Sequence, residues 1–192
     1  VDNASADSTP EVLERIAALA DVKVIANPEN RGFAAANNQA LRLASGRYFM
    51  LLNPDCEVRL DGLSLLIEAL DADEGLGIVA PQLLDADGEV TASCRQFPDL
   101  EAMFWHLSYL DKLFPSAPRI GDYMMGRFDH LSDRDVDQPQ GAALMFRRSV
   151  LESIGPLDER FFLYFEEVDW CLRVKRAGHR TRFIAGAQIM HR

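Results

Sequence analysis

Three short segments of this 192-residue sequence carry side chains able to do chemistry. The first is Asp2-Asn3-Ala4-Ser5, directly after an apolar Val1. A short carboxylate at the end of a strand can accept a bond from a ribose hydroxyl or a base N–H, because ligands of open α/β sheets bind there. It can equally close an Asx-turn on its own backbone. The second is Leu51-Leu52-Asn53-Pro54-Asp55, an apolar run ending in a carboxylate. A hard oxygen ligand at that position suits Mg²⁺ or Mn²⁺, and a plain turn or helix cap is the alternative.

The third segment is Phe161-Phe162-Leu163-Tyr164-Phe165-Glu166-Glu167-Val168-Asp169-Trp170, followed by Cys171-Leu172-Arg173. Glu166 and Glu167 at a helix start are favoured by the helix dipole whatever else they do. Asp169 and Arg173 stand four apart, which suits an ion pair on one helix face. A carboxylate beside five apolar residues is also partly desolvated, which raises its pKa towards that of a general base. Of the histidines, His106, His130 and His179 are scattered. His191 closes the apolar Gln188-Ile189-Met190 and could emerge from a strand end, although a structural histidine fits the sequence as well.

These residues need a scaffold, and the chain has the composition to build one. Ten more acids than bases give a net charge of −10, with 48% hydrophobic and 26% charged residues. That is the profile of a packed globular chain, and its acidity argues against a nucleic-acid backbone as partner. No apolar run approaches the 18 residues needed to span a bilayer. Cys56, Cys94 and Cys171 lack CxxC spacing, which predicts a reducing, cytosolic setting with neither disulfide framework nor zinc site.

The pattern along the chain alternates. Ser8-Thr9-Pro10-Glu11 reads as a capping box opening a helix, and Val22–Ile25 as a strand. A helix over 33–44, closed by Gly46, leads to the strand Tyr48–Leu52, whose unbroken apolar run predicts burial on both faces. Asp61 caps the next helix and Gly77–Ala80 is the next strand. This spacing predicts a doubly wound α/β domain with a mainly parallel sheet. Asp87-Gly88 marks a hairpin, and residues 97–137 form an aromatic and Met-rich excursion. Ala142–Phe146 returns to strand, and Ser149 and Glu152 form a second capping box. A helix over 167–177 stops at Gly178, and 183–185 and 188–190 read as two closing strands. The chain opens without Met and directly into a turn, so it reads as a single domain begun in mid-sheet, with its first strand missing. An unpaired first strand would favour a homodimer.

Taken together, the segments at Val1–Ser5, Asn27-Pro28-Glu29-Asn30-Arg31-Gly32-Phe33-Ala34 through Asn37-Asn38, Leu52–Asp55 and Phe161–Arg173 resemble the family 2 glycosyltransferases, inverting enzymes of GT-A fold. Ser93-Cys94-Arg95-Gln96-Phe97-Pro98 and Phe161–Glu166 are similar to the bacterial rhamnosyltransferase-like branch. The resemblance implies residues 1–80 as the nucleotide-sugar part and 81–192 as the acceptor and catalytic part. It implies that Asp2, Asn30, Gly32 and Asn37 line the nucleotide pocket, and that Asp55 and His191 hold a divalent cation (Mg²⁺ or Mn²⁺) against the diphosphate. Glu167 takes the position of the catalytic base, Glu166 that of the acid before it, and Gln140-Gly141-Ala142 faces the acceptor. Asn53 and Pro54 replace the rest of the usual DxD-type motif, and Glu stands at 167 where Asp is commoner.

The implied activity is transfer of a sugar from a nucleoside-diphosphate sugar (dTDP-rhamnose is the donor suggested by the branch) to a saccharide or lipid-linked acceptor. The setting it implies is cell-surface polysaccharide synthesis at the cytoplasmic face of the membrane; Met103-Phe104-Trp105 and Tyr123-Met124-Met125 either make peripheral contact there or simply cover the sheet. A non-catalytic nucleotide-sugar-binding relative is the competing reading. A nucleotidyltransferase would want a Gly-rich basic phosphate loop, which this sequence lacks.

Overall fold

The computed structural model describes residues 1–19 and 21–192, in two compact units. One comprises 1–46 with 156–170, the other 47–155 with 171–192.

In the first unit, α1 (Thr9–Ala17) and α2 (Phe33–Leu43) are the complete helices, and α7 (Glu166–Arg176) begins here. Pro10 enters the first turn of α1, where its missing N–H costs nothing. The predicted capping box is not made. The Thr9 N–H donates to Asp7 Oδ1 at 2.9 Å, and Ser8, with near-helical backbone, makes no side-chain cap. Val22–Ile25 forms no ladder of its own; the pairing described there is the single parallel bridge of Asp2 with Ala26. The small side chains of Ala34 and Ala35, with Asn38, form the buried stripe of α2.

The second unit carries the sheet. Its strands are β1 (Tyr48–Leu52), β2 (Cys56–Val58), β3 (Leu76–Leu84), β5 (Arg134–Val136), β7 (Ala143–Arg147) and β8 (Arg180–His191), in the order β1-β7-β3-β8-β2 with β5 also on β8. A two-stranded sheet joins β4 (Cys94–Arg95) to β6 (Gln138–Pro139). Pairing is parallel between β3 and β8 and antiparallel at the other four junctions of the main sheet. It follows that β1, β3 and β8 run one way and β7, β2 and β5 the other. The sheet is therefore mixed rather than mainly parallel, because the excursion after β3 brings the chain back into β7 from the opposite end.

Burial follows the ladder. β3 is buried along nearly its whole length, as a central strand must be. β1 lies at the edge of the main sheet and alternates, with Phe49 and Leu51 inward and Leu52 exposed, so its apolar run does not mean burial on both faces. Leu66 and Leu70 of α3 (Leu60–Ala72) pack on Leu76, Val79, Met145, Ile184 and Ala187. Each such aliphatic side chain contributes roughly 1.5–3 kcal/mol. Asp61 sits within the first turn of α3 and accepts the Gly62 N–H, rather than preceding the helix. The Arg147 guanidinium bonds the Leu70 and Asp73 carbonyls, capping the far end of α3.

Gly88, with φ +83°, closes the predicted hairpin between Leu84 and Val90. The two closing strands are one strand, β8, with an irregularity: Pro81 pairs Ile184 but Gln82 pairs Gln188. Ser149 lies inside α6 (Arg148–Ile154), whose N-terminus has no side-chain cap. Gly178 ends α7 at φ +89°, as its position predicts. The excursion holds α4 (Leu100–Leu107) and α5 (Leu110–Leu113). Tyr123 and Met125 are buried within it, so they form core, not surface; its exposed large apolar side chains include Leu100, Phe104 and Leu107 on α4, with Leu113 and Phe114 beyond it. Among the described residues no helix is long and apolar enough to cross a membrane.

Candidate functional site

In the second unit, the turn Asn53–Cys56 follows the carboxyl end of β1. The Asn53 N–H donates to the Ala142 carbonyl at 2.9 Å, and the Arg192 N–H to the Asp55 carbonyl at 3.0 Å. Those bonds fasten the turn to the start of β7 and the end of β8. Because β1 and β8 run the same way, Asp55 and His191 both lie at the carboxyl edge of the sheet, where ligands of such folds bind. His191 Nε2 stands 3.4 Å from Asp55 Oδ1. Cys56, the residue directly opposite His191 in the β2–β8 ladder, brings its thiol within 4.8 Å of both. Burial and the adjacent Asp55 carboxylate push that thiol's pKa up. Imidazole, carboxylate and thiol make a set able to hold a divalent cation.

In the first unit, Asp2 is buried and its carboxylate accepts the Ser5 N–H, three residues on, at 3.1 Å, so it does bond its own local backbone. Its backbone is fixed by bonds to Ile25 and Asn27. Beside it runs an amide network that the sequence reading did not resolve. Asn3 Nδ2 donates to Asn30 Oδ1 at 3.0 Å and to the Gly32 carbonyl at 3.1 Å. Asn27 Nδ2 donates to Asn3 Oδ1 and to Gln39 Oε1, each at 2.9 Å. The Gly32 N–H closes on Asn30 Oδ1 at 2.9 Å. Asn30 and Gly32 thus belong to one rigid loop with Asn3. Asn37 instead bonds the Phe33 carbonyl one turn back in α2. The density of Asn in 27–38 was the available signal for this network.

The segment before α7 is pinned to α2. The Phe33 N–H donates to the Phe162 carbonyl at 2.9 Å, and buried Asn38 exchanges bonds of 2.9 and 3.1 Å with the Leu157 backbone. Tyr164 and Phe165 then adopt left-handed backbone, at φ 68° and 71°. Two bulky residues there store strain, a feature that clusters at functional sites. Phe162, Leu163, Tyr164 and Phe165 are exposed. The left-handed turn presents this run to solvent, yet the carboxylate that follows it is desolvated, as its position predicts.

The desolvated acid is Glu166, 4% exposed, with its Oε2 lacking a hydrogen-bond partner. Burial raises its pKa, and the Glu167 charge adds to the rise. Glu167 is half-buried at the N-terminal end of α7. Arg173 lies on the same helix and donates from Nη1 to the Ile154 carbonyl at 2.8 Å. Of the other histidines, His106 pairs with buried Asp111 at 2.7 Å and His130 is buried in the excursion. A cavity of about 310 Å³ lies at the amino end of β8, away from His191. Its Lys175 and Arg180 are neutralised by Asp137 and Asp135, at 2.6 and 2.8 Å.

Comparison with known proteins bears on the fold and the family. The family model for glycosyl transferase family 2 matches residues 1–155. An N-acetylglucosaminyl-diphospho-decaprenol L-rhamnosyltransferase of Mycobacterium tuberculosis is 28% identical over 99% of this chain and 64% of its own length. The rhamnosyltransferase WbbL of Escherichia coli is 25% identical over 83% of this chain and 60% of its own. This chain therefore spans somewhat under two thirds of either relative. Among solved structures, the mannosyltransferase PcManGT of Pyrobaculum calidifontis, in complex with GDP-Man and Mn²⁺, superposes with a TM-score of 0.63 at 20% identity, over 99% of this chain and 46% of that one. GalNAc-T7 with UDP, GalNAc and Mn²⁺ gives 0.66 at 15% identity, over 95% and 35%. The fold is thus that of the GT-A glycosyltransferases, and the chain belongs to glycosyl transferase family 2.

Proposed function

We propose that this chain carries the catalytic part of an inverting glycosyltransferase, moving a sugar from a nucleoside-diphosphate sugar to an acceptor hydroxyl. The observation that carries the reading is the Asp55–His191 pair, 3.4 Å apart at the carboxyl edge of the sheet, in a chain of this family. Asp55 and His191 offer a carboxylate oxygen and an imidazole nitrogen to a divalent cation. When bound, such a cation neutralises diphosphate charge. Asp2 and the loop of Asn30 and Gly32 bind the nucleoside, with Asn37 behind them on α2. Glu167 accepts the proton of the acceptor hydroxyl as its oxygen attacks the anomeric carbon, and buried Glu166 orients its neighbour.

The rhamnosyltransferase names of two relatives support dTDP-rhamnose as donor and a lipid-linked saccharide as acceptor, in cell-surface polysaccharide synthesis. Peripheral contact with the membrane bearing that acceptor would use Leu100, Phe104 and Leu107, which α4 leaves exposed.

The test is turnover beside donor affinity, measured with dTDP-rhamnose and a polyprenyl-diphosphate-linked acceptor. Glu167→Gln keeps shape and loses the proton acceptor, so turnover should fall about 10²–10⁴-fold with donor affinity unchanged. Asp55→Asn should weaken donor binding as well. Near-normal turnover in Glu167→Gln would move the base elsewhere. Absence of binding for every nucleoside-diphosphate sugar tried would remove the transferase reading.

A further inference from the structure

The cysteines show no metal-binding spacing in the sequence, yet the fold sets one of them against a histidine and a carboxylate. We propose that Cys56 is a third protein ligand of the Asp55–His191 cation site, so that the site binds thiophilic divalent ions, Zn²⁺ or Co²⁺, in preference to Mg²⁺. The proposal rests on Asp55 and His191 forming a cation site, and not on the glycosyl transfer itself.

Register makes the juxtaposition. Cys56 pairs His191 in the antiparallel β2–β8 ladder, and directly opposed residues project to the same face with β-carbons about 4.5–5.5 Å apart. Asp55 immediately precedes the strand and is tied to Arg192 through its carbonyl. One donor atom from each of the three lies within 4.8 Å of the others, and the imidazole–carboxylate pair is at 3.4 Å. Ligands about 2.0–2.3 Å from a tetrahedral zinc lie roughly 3.3–3.8 Å from one another. Two of the three are therefore in place, and the thiol needs to move by about 1 Å. It gives up little, because Sγ now makes only a 3.5 Å contact to the Ala142 carbonyl, and a thiol is a weak donor.

The chemistry of the set decides the ion. Mg²⁺ takes oxygen donors, completing one or two carboxylates with waters and phosphates, and gains nothing from a thiol. Sulfur, nitrogen and one oxygen are the donors of Zn²⁺ and Co²⁺ sites. The Asp55 and His191 side chains are 46% and 22% exposed, which leaves a fourth position open to solvent or a ligand oxygen. Cys94 and Cys171 are buried, so Cys56 is the thiol able to answer a metal added to the folded protein.

The experiment is titration of the folded, reduced protein with Co²⁺, followed by near-ultraviolet absorption, with Zn²⁺ affinity from competition against a chelating dye. The expected result is a thiolate-to-cobalt charge-transfer band that saturates at one equivalent, survives millimolar Mg²⁺ and is abolished by stoichiometric Zn²⁺. Cys56→Ser should lose the band and weaken Zn²⁺ binding by at least about 100-fold, since even outer partners of metal ligands cost 10–100-fold. Its circular dichroism and thermal midpoint should match wild type; if they do not, protection of Cys56 from iodoacetamide by Zn²⁺ in the wild-type protein gives the same answer. Cobalt binding without the band, or unprotected Cys56, would remove the thiol and leave the Asp55–His191 site standing. Absence of any metal binding would remove both.

Discussion

Gly32 and Phe162 approach so closely that a β-carbon on Gly32 would lie 2.5 Å from the Phe162 carbonyl oxygen. The neighbouring Phe33 N–H bonds that same oxygen at 2.9 Å, so the contact is the seat on which the strained segment before Glu166 rests. Gly32 is also at φ +81°, where other residues are strained. Gly32→Ala should destabilise the protein by about 1–3 kcal/mol, from backbone strain together with a clash against backbone that cannot give way. It should also lower turnover, by displacing 162–165. Urea unfolding and steady-state kinetics on one variant check both, and an unchanged urea midpoint would contradict the contact.

Burial gives Glu166 a pH signature. Its folded pKa lies above the ordinary carboxylate value, so the native state holds a proton that the unfolded chain releases earlier. Its contribution to stability is complete below about pH 4.5, the ordinary value, and is lost as pH rises through the folded pKa. Glu166→Gln removes that loss. The variant should gain on wild type in urea midpoint as pH rises from about 4.5 through the folded pKa, and the gap should then level off; a gap that is constant from about pH 4.5 upward would place the carboxylate in water.

His130 has the opposite sign. Its ring is buried against Phe128 and Phe183, with Nε2 accepting the Cys94 N–H at 3.3 Å and Nδ1 facing the Phe128 carbonyl at 3.0 Å. Burial depresses its pKa below 6.5, so the native ring stays neutral where the unfolded one takes a proton. Stability from this residue is present above about pH 6.5 and is lost as pH falls through the folded pKa. His130→Ala should cost about 1–3 kcal/mol at pH 8, because the Cys94 N–H loses its acceptor. The variant should also show a shallower decline between pH 7 and 5 in chemical denaturation, and a decline as steep as wild type would assign the acid sensitivity to other groups.

Much of this protein was legible in local pattern. The apolar runs at Tyr48–Leu52 and in β3, Gly178 at a helix end and Asp87-Gly88 in a hairpin depend on neighbours a few residues away, and periodicity and turn chemistry report such neighbours directly. Asp55, Glu166, Glu167 and His191 were visible because each breaks or ends an apolar run. The tertiary structure alone decided the rest. Strand direction depended on where the excursion returned the chain, which no local pattern records. Which carboxylate is buried depended on a left-handed turn at Tyr164 and Phe165, two residues whose types argue against it. The pairing of Cys56 with His191 spans most of the chain and is set by ladder register, where a slip of one residue would send the thiol to the other face of the sheet.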